Sequence, residues 1–292
     1  MNRIRTLLKQ AKDEGRQLLV PYLMAGDPDL SASLELATAL LEGGADLLEI
    51  GLPFSDPLAD GPVIQGAAQR ALRAGTKIDG VLEMVASLRR RSNIPLVLLS
   101  YVNPILRYGF DRFLAATAQA GADGLIIPDL PLAESGGPGE EEDLAERAAR
   151  HGLELIPLVA PTTTFAGLRE VAKRNPAFVY VVSLTGVTGV RAGLAPEIHS
   201  FLTRLREQID QPLFLGFGLS GPQQIRQVRP LVDGVIVGSR LVQEIAAVSQ
   251  VGLKTVKARL QEVLQELRRA LDEEKVAGQG GEKSVDSRRG MR

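Results

Sequence analysis

Gly44-Ala45-Asp46-Leu47-Leu48-Glu49-Ile50-Gly51 is a polar turn running straight into an apolar segment. The same phrase returns as Gly121-Ala122-Asp123 before residues 124–127, and in a variant form as Val232-Asp233-Gly234 before residues 235–237. Each copy follows a stretch of helical periodicity. The reading is a helix stop, a tight turn and then a buried strand. The apolar segments are continuous rather than alternating, which is the pattern of parallel strands covered on both faces.

Working outward, strand-like runs fall at residues 18–24, 47–50, 95–100, 124–127, 154–158, 178–182, 213–216 and 235–237. Amphipathic helical stretches separate them, for example at 31–41, 78–90, 111–119, 140–149, 166–173 and 197–207. Eight strands alternating with helices predict an α/β fold, a closed (β/α)8 TIM barrel. An open doubly wound sheet is the competitor. No G-x-G-x-x-G opens the first helix, so its dinucleotide-binding form gains no support. One domain is expected over residues 1–271, with a disordered tail over 272–292 that is poor in apolar residues. The Gly-rich acidic segment 135–143 (SGGPGEEED) reads as a surface loop.

Composition excludes several classes. The chain has 292 residues, 34 basic and 35 acidic, for a net charge of −1, so no strong field recruits nucleic acid or anionic lipid. It has no Cys and two His, which rules out disulfides and thiolate chemistry and disfavours a metal site. His151 stands at a helix end and His199 in a helical stretch, both ordinary packing or surface positions. Residues 1–10 lack the apolar core of a signal peptide, and no apolar run is long enough to span a bilayer; a soluble cytoplasmic protein is the expectation.

In barrels of this kind the chemistry gathers at the carboxyl ends of strands. Strand alternation puts Glu49 on the face of Leu47, with Leu48 and Ile50 on the opposite face. A carboxylate inside an apolar run is either ion-paired or neutral, and a neutral carboxylic acid can donate a proton. Both readings of Glu49 stand at this point. The following stretch, Pro53-Phe54-Ser55-Asp56-Pro57-Leu58-Ala59-Asp60-Gly61-Pro62, lies where a catalytic loop belongs. Asp60 reads as a second carboxylate of the site or as the N-cap of a helix starting near Pro62, and Asp56 has the same capping alternative.

Beyond strand six, Gly186, Gly189 and Gly193 punctuate a connection that reads as a mobile lid or as a plain flexible loop. Strands seven and eight end in Gly216-Phe217-Gly218-Leu219-Ser220-Gly221 and Val237-Gly238-Ser239-Arg240. Small residues opening a helix let backbone N–H groups reach an anion, and paired sites at these two strands form the phosphate cradle of phosphosugar barrels.

The stretch from Leu48 to Pro62 closely resembles the signature of the tryptophan synthase alpha subunit family. Further matches follow in order: Pro21-Tyr22 with Ala25-Gly26-Asp27-Pro28, Tyr101-Val102-Asn103-Pro104, Pro128-Asp129-Leu130-Pro131, Thr185-Gly186-Val187-Thr188-Gly189, Gly216-Phe217-Gly218 and Gly238-Ser239. The resemblance runs from about Thr6 to Leu271. It implies a lyase that cleaves indole-3-glycerol phosphate to indole and glyceraldehyde 3-phosphate, late in tryptophan biosynthesis. Glu49 and Asp60 match the family's catalytic acids, and Tyr180 a tyrosine beside the glutamate. Tyr22, Leu99 and Phe217 match the indole pocket; Gly189, Gly218, Gly238 and Ser239 match the phosphate cradle.

The resemblance also implies no cofactor in this subunit, and a beta subunit partner carrying pyridoxal phosphate in an alpha2beta2 tetramer. The partner-facing surface would include Pro53, Asp56, Asn103 and Pro131. Two departures stand out: Leu184 where some members carry Arg, and the 135–143 insertion with the tail after Leu271. Two other functions compete. Another phosphosugar barrel of aromatic biosynthesis typically needs a strand-end Lys, which this chain lacks at all the proposed strand ends. A non-catalytic ligand-binding subunit would not need both Glu49 and Asp60.

Overall fold

The computed structural model describes residues 2–130, 144–182, 196–216, 218–219 and 221–273. Its strands are β1 (Leu18–Met24), β2 (Leu48–Gly51), β3 (Leu96–Leu99), β4 (Gly124–Ile126), β5 (Glu154–Ile156), β6 (Leu158–Val159), β7 (Val179–Val182), β8 (Leu213–Gly216) and β9 (Gly234–Val237). Every ladder is parallel, in the order β5-β4-β3-β2-β1-β9-β8-β7-β6. The two ends of this order, β5 and β6, are halves of one expected strand, residues 154–158. Pro157 divides it, because proline has no N–H to give to a ladder. Its carbonyl still accepts a hydrogen bond from the Tyr180 N–H at 2.9 Å. The split strand pairs with β4 on one side and β7 on the other, and the ring closes through it. The architecture is the (β/α)8 barrel that the periodicity predicts.

Alternation sorts the side chains into two cores. Leu19, Leu23, Leu48, Ile50, Leu98, Leu125, Val179, Val181, Leu215 and Val235 point outward into the layer shared with the helices. Leu18, Val20, Leu47, Val97, Ile126, Ile156, Tyr180, Phe214 and Ile236 fill the interior. Phe178 and Phe214 stack there with ring centroids 4.2 Å apart. The amphipathic helix Arg3–Glu14 sends Ile4 and Ala11 into the same interior cluster, so it plugs the amino end of the barrel.

The recurring Asp turn has one structural job in all three copies. The Asp46 N–H donates to the Leu19 carbonyl at 3.0 Å, and the Asp46 carboxylate accepts from the Leu19 N–H at 2.7 Å. Asp123 does the same with Leu96 (2.7 and 2.9 Å) and Asp233 with Leu213 (2.9 and 2.7 Å). Each carboxylate also takes one or more guanidiniums: Arg16 and Arg268 on Asp46, Arg3 and Arg89 on Asp123, Arg206 on Asp233. The turn that starts one strand thereby fastens the strand beside it.

The expected helices appear as Leu30–Glu42, Ile78–Arg91, Phe110–Ala120, Leu144–Arg150, Phe165–Arg174 and Pro196–Arg206. The long helix Leu253–Asp272 packs on Leu30–Glu42 and on Pro222–Val228. Within the described residues no helix is long and apolar enough to cross a membrane. The 135–143 insertion, the 186–193 connection and residues 274–292 of the expected tail lie outside the described residues.

Candidate active site

Glu49 lies on β2 beside Tyr22 of β1 and Val97 of β3. It is 1% exposed, on the interior face, two residues before the end of its strand. Neither carboxyl oxygen has a hydrogen-bond partner among the described residues, so the structural ion pair left open by the sequence is not made there. Burial first, then the charge of Asp60, raises its pKa to about 8. Its carboxyl therefore favours the protonated form at neutral pH.

Asp60 lies in the loop between β2 and the helix Pro62–Arg73. It does not cap that helix: the N-cap is Gly61, with no side-chain cap bond. Pro62 supplies the preset φ of the first turn, and proline has no N–H there to satisfy. Burial raises the Asp60 pKa to about 6, and the influence of the Tyr101 hydroxyl, which favours the ionised carboxylate, partly offsets it. Near neutral pH the two acids thus favour opposite protonation states, a division of labour suited to acid–base chemistry. Asp56 is exposed and bonded to the neighbouring Ser55 hydroxyl, away from this pair.

Tyrosines wall the pair. Tyr22 and Tyr180 are both buried, and burial together with the charges of Glu49 and Asp60 holds both hydroxyls well above the usual phenol range. Each ring occupies room left by a glycine. A Cβ at Gly51 would lie 2.2 Å from the Tyr22 hydroxyl, and one at Gly216 would lie 2.3 Å from that of Tyr180. Leu99, level with Gly51 across the β2–β3 ladder, packs against the interior cluster from β3.

After β9, the other neighbour of β1, Gly238 is the N-cap of helix Ser239–Ala246, where it has no side chain to occupy the first-turn N–H groups. A Cβ on Gly238 would lie 3.4 Å from the Tyr22 ring, so this helix start borders the tyrosine wall. Gly218 follows β8 with φ of +79°, a left-handed conformation that favours glycine. Gly189 and Phe217 lie outside the described residues.

One residue whose role the sequence did not reveal is Tyr101. It stands in a quoted motif, but nothing local says that its hydroxyl reaches the Ala59 N–H at 3.0 Å. Asp129 is similar: its carboxylate accepts from the Val102 N–H at 2.9 and 3.2 Å.

The fold, with Glu49 and Asp60 near the carboxyl ends of its strands, is that of a (β/α)8-barrel protein with a candidate acid–base site. The family profile described as tryptophan synthase alpha chain matches residues 8–272. Relatives named tryptophan synthase alpha chain include one from Carboxydothermus hydrogenoformans, 49% identical over 83% of this chain and 89% of its own length. Another, from Synechococcus sp. (strain CC9902), is 48% identical over 90% of this chain and 95% of its own.

Among solved structures, the tryptophan synthase alpha chain of Legionella pneumophila superposes with a TM-score of 0.81 at 36% identity, covering 93% of this chain and 98% of that one. A chain of tryptophan synthase from M. tuberculosis, in an aminoacrylate-bound form, gives 0.78 at 33%, covering 93% and 100%. The chain belongs to the tryptophan synthase alpha chain family. Its activity is the lyase reaction of that subunit, the cleavage of indole-3-glycerol phosphate to indole and glyceraldehyde 3-phosphate.

Proposed function

We propose that Glu49 and Asp60 carry out this cleavage together, with Glu49 as proton donor and Asp60 as an ionised partner for the indole N–H. The reaction breaks the carbon–carbon bond between the indole ring and its glycerol phosphate arm. The ring carbon takes up a proton before it leaves, and the side-chain hydroxyl loses one as the aldehyde forms, so protons balance. Glu49 delivers the first and is placed to collect the second. Asp60 accepts a hydrogen bond from the ring N–H and steadies positive charge developing there. Each acid–base contribution is on the order of 10²- to 10⁴-fold. The observation that carries the reading is the Glu49 carboxyl, buried and unpartnered among the described residues, with its pKa near 8.

Tyr22, Leu99, Tyr180 and Phe217 line the indole side in this reading. Gly218, Gly238 and Ser239, with Gly189, hold the phosphate through backbone N–H groups. The uncapped start of helix Ser239–Ala246 supports that assignment, because orphan N–H groups and the helix dipole both favour an anion. Anchoring the phosphate fixes the ring over both acids.

The subunit needs no cofactor of its own in this reading and works in the cytoplasm with a pyridoxal phosphate-bearing beta subunit in an alpha2beta2 tetramer. A docking surface at Pro53, Asp56 and Asn103 is supported by large apolar side chains left in water nearby: Leu58 is 94% exposed and Leu106 58%. Pro131, the remaining residue of that surface, lies outside the described residues. Indole release by the purified chain, measured alone and after co-purification with a beta subunit, tests both statements. No release in either state rejects the chemistry, and failure to co-purify rejects the partner.

A further inference from the structure

We propose that Tyr101 is a positioning residue for this reaction, its hydroxyl holding the catalytic loop so that the Asp60 carboxylate faces the ring. The proposal rests on the reading of Asp60 as the ionised partner of the indole N–H.

The loop from Leu52 to Gly61 has no helix or strand of its own, and its crest is solvated at Ser55, Asp56, Leu58 and Ala59. Such a segment does not hold a carboxylate to the tolerance catalysis demands unless something rigid grips it. Tyr101 grips it at two places. Its hydroxyl accepts the N–H of Ala59, the residue before Asp60, at 3.0 Å, and its influence on Asp60 favours the ionised carboxylate. Its ring lies against Phe54, centroids 5.4 Å apart and planes tilted by 35°. A hydroxyl that accepts the Ala59 N–H still has its own proton to donate, and Asp60 is the next residue along the loop.

Tyr101 itself is well anchored. It directly follows β3 and Ser100, is buried, and forms the N-cap of helix Val102–Tyr108. The next residue, Val102, is held by the Asp129 carboxylate from the end of β4. The loops after three successive strands are thereby joined in series, from Asp129 through Val102 and Tyr101 to Ala59, the residue before Asp60.

The groups facing Asp60 from the packed elements are Tyr22 on β1, Glu49 on β2, Tyr101 after β3 and Tyr180 on β7. Asp129 lies beyond Tyr101. Among them the Tyr101 hydroxyl lowers the pKa of Asp60 and so favours its ionised form against burial.

Tyr101→Phe keeps the ring on Phe54 and removes only the hydroxyl. Expected is a fall in kcat for indole release of about 10- to 100-fold, with KM nearly unchanged, thermal stability close to wild type, and the acid limb of the pH profile moved to higher pH. The double variant Tyr101→Phe/Asp60→Asn should be no slower than Asp60→Asn alone, since the hydroxyl acts through that carboxylate. Wild-type kcat with an unmoved acid limb in Tyr101→Phe, or losses that multiply in the double variant, overturns the proposal. An active Asp60→Asn enzyme instead rejects the reading of Asp60 on which it rests.

Discussion

Tyr22 of β1 and Glu49 of β2 are register partners, so the ring and the carboxyl enter the barrel side by side. The Tyr22 hydroxyl then fills the place a side chain at Gly51 would take, two residues further along β2. Glu49 is 1% exposed, and this burial, with the charge of Asp60, raises its pKa to about 8. Gly51→Ala puts a Cβ 2.2 Å from the Tyr22 hydroxyl and 2.8 Å from the ring carbon that bears it. We expect a stability loss of about 1–3 kcal/mol and a marked fall in kcat/KM as the ring shifts. Adding Tyr22→Phe removes the closest atom and should recover part of both. Calorimetry and indole-release kinetics on the single and double variants check this; wild-type values for Gly51→Ala would mean the wall yields freely.

The pH dependence follows from the two acids. The proposed mechanism needs Glu49 protonated and Asp60 ionised, and their pKa values are raised to about 8 and about 6. The expected kcat/KM profile is a bell with its acid limb near pH 6 and its alkaline limb near pH 8. Glu49→Gln should reduce turnover by at least about 10²-fold. Asp60→Asn should also cut turnover steeply while leaving affinity for a phosphate-bearing product largely intact. Near-normal turnover in Glu49→Gln removes the acid role, and equal loss of turnover and phosphate binding in Asp60→Asn points to folding damage.

The Glu49 carboxyl should also weaken the fold as pH rises. Its folded pKa lies above the unfolded value of 4.5, so between about pH 4.5 and 8 the native state binds more protons than the unfolded chain. Stability from this group is fully present below pH 4.5 and is lost as pH rises through 8. Glu49→Gln cannot ionise. Its melting temperature should exceed that of the wild type at pH 8 and approach it toward pH 4.5, while its activity is lost. Melting curves of both proteins across that range decide the matter; a Glu49→Gln protein less stable at pH 8 than at pH 5, by as much as wild type, would argue against a buried, strained acid.

The barrel was legible because parallel strands are buried on both faces and stand out as unbroken apolar runs. The split of the fifth strand was legible only in part: Pro157 is visible, but its interruption of the ladder depends on neighbours in β4 and β7. Glu49 could be placed because strand alternation is local. Its protonation could not, since that depends on residues from other strands. Whether Asp60 capped a helix or served the site turned on backbone geometry at Gly61, which sequence does not carry. Tyr101 went unassigned because its partner Ala59 is 42 residues away.

The Asp turns offer the same lesson in a form that can be measured. Their repetition marked them as turns, but their partners are remote: Asp123 is 120 residues from Arg3 and 34 from Arg89. Asp123 is 3% exposed, and its carboxylate accepts from Arg3, Arg89 and the Leu96 N–H. Asp123→Ala would leave the largely buried Arg89 guanidinium without its carboxylate and the Leu96 N–H without its side-chain acceptor. Removing one member of a buried pair costs about 3–5 kcal/mol. Asp123→Asn keeps an acceptor for Leu96 but not the charge, so its loss should be smaller. This network sits at the amino end of the barrel, away from the acids, where it bears on stability rather than chemistry. Both variants should therefore melt at lower temperature while their kcat, measured below the melting range, stays near wild type. A kcat that falls in step with stability would show that strain at the base of β3 and β4 reaches Tyr101 and Asp60.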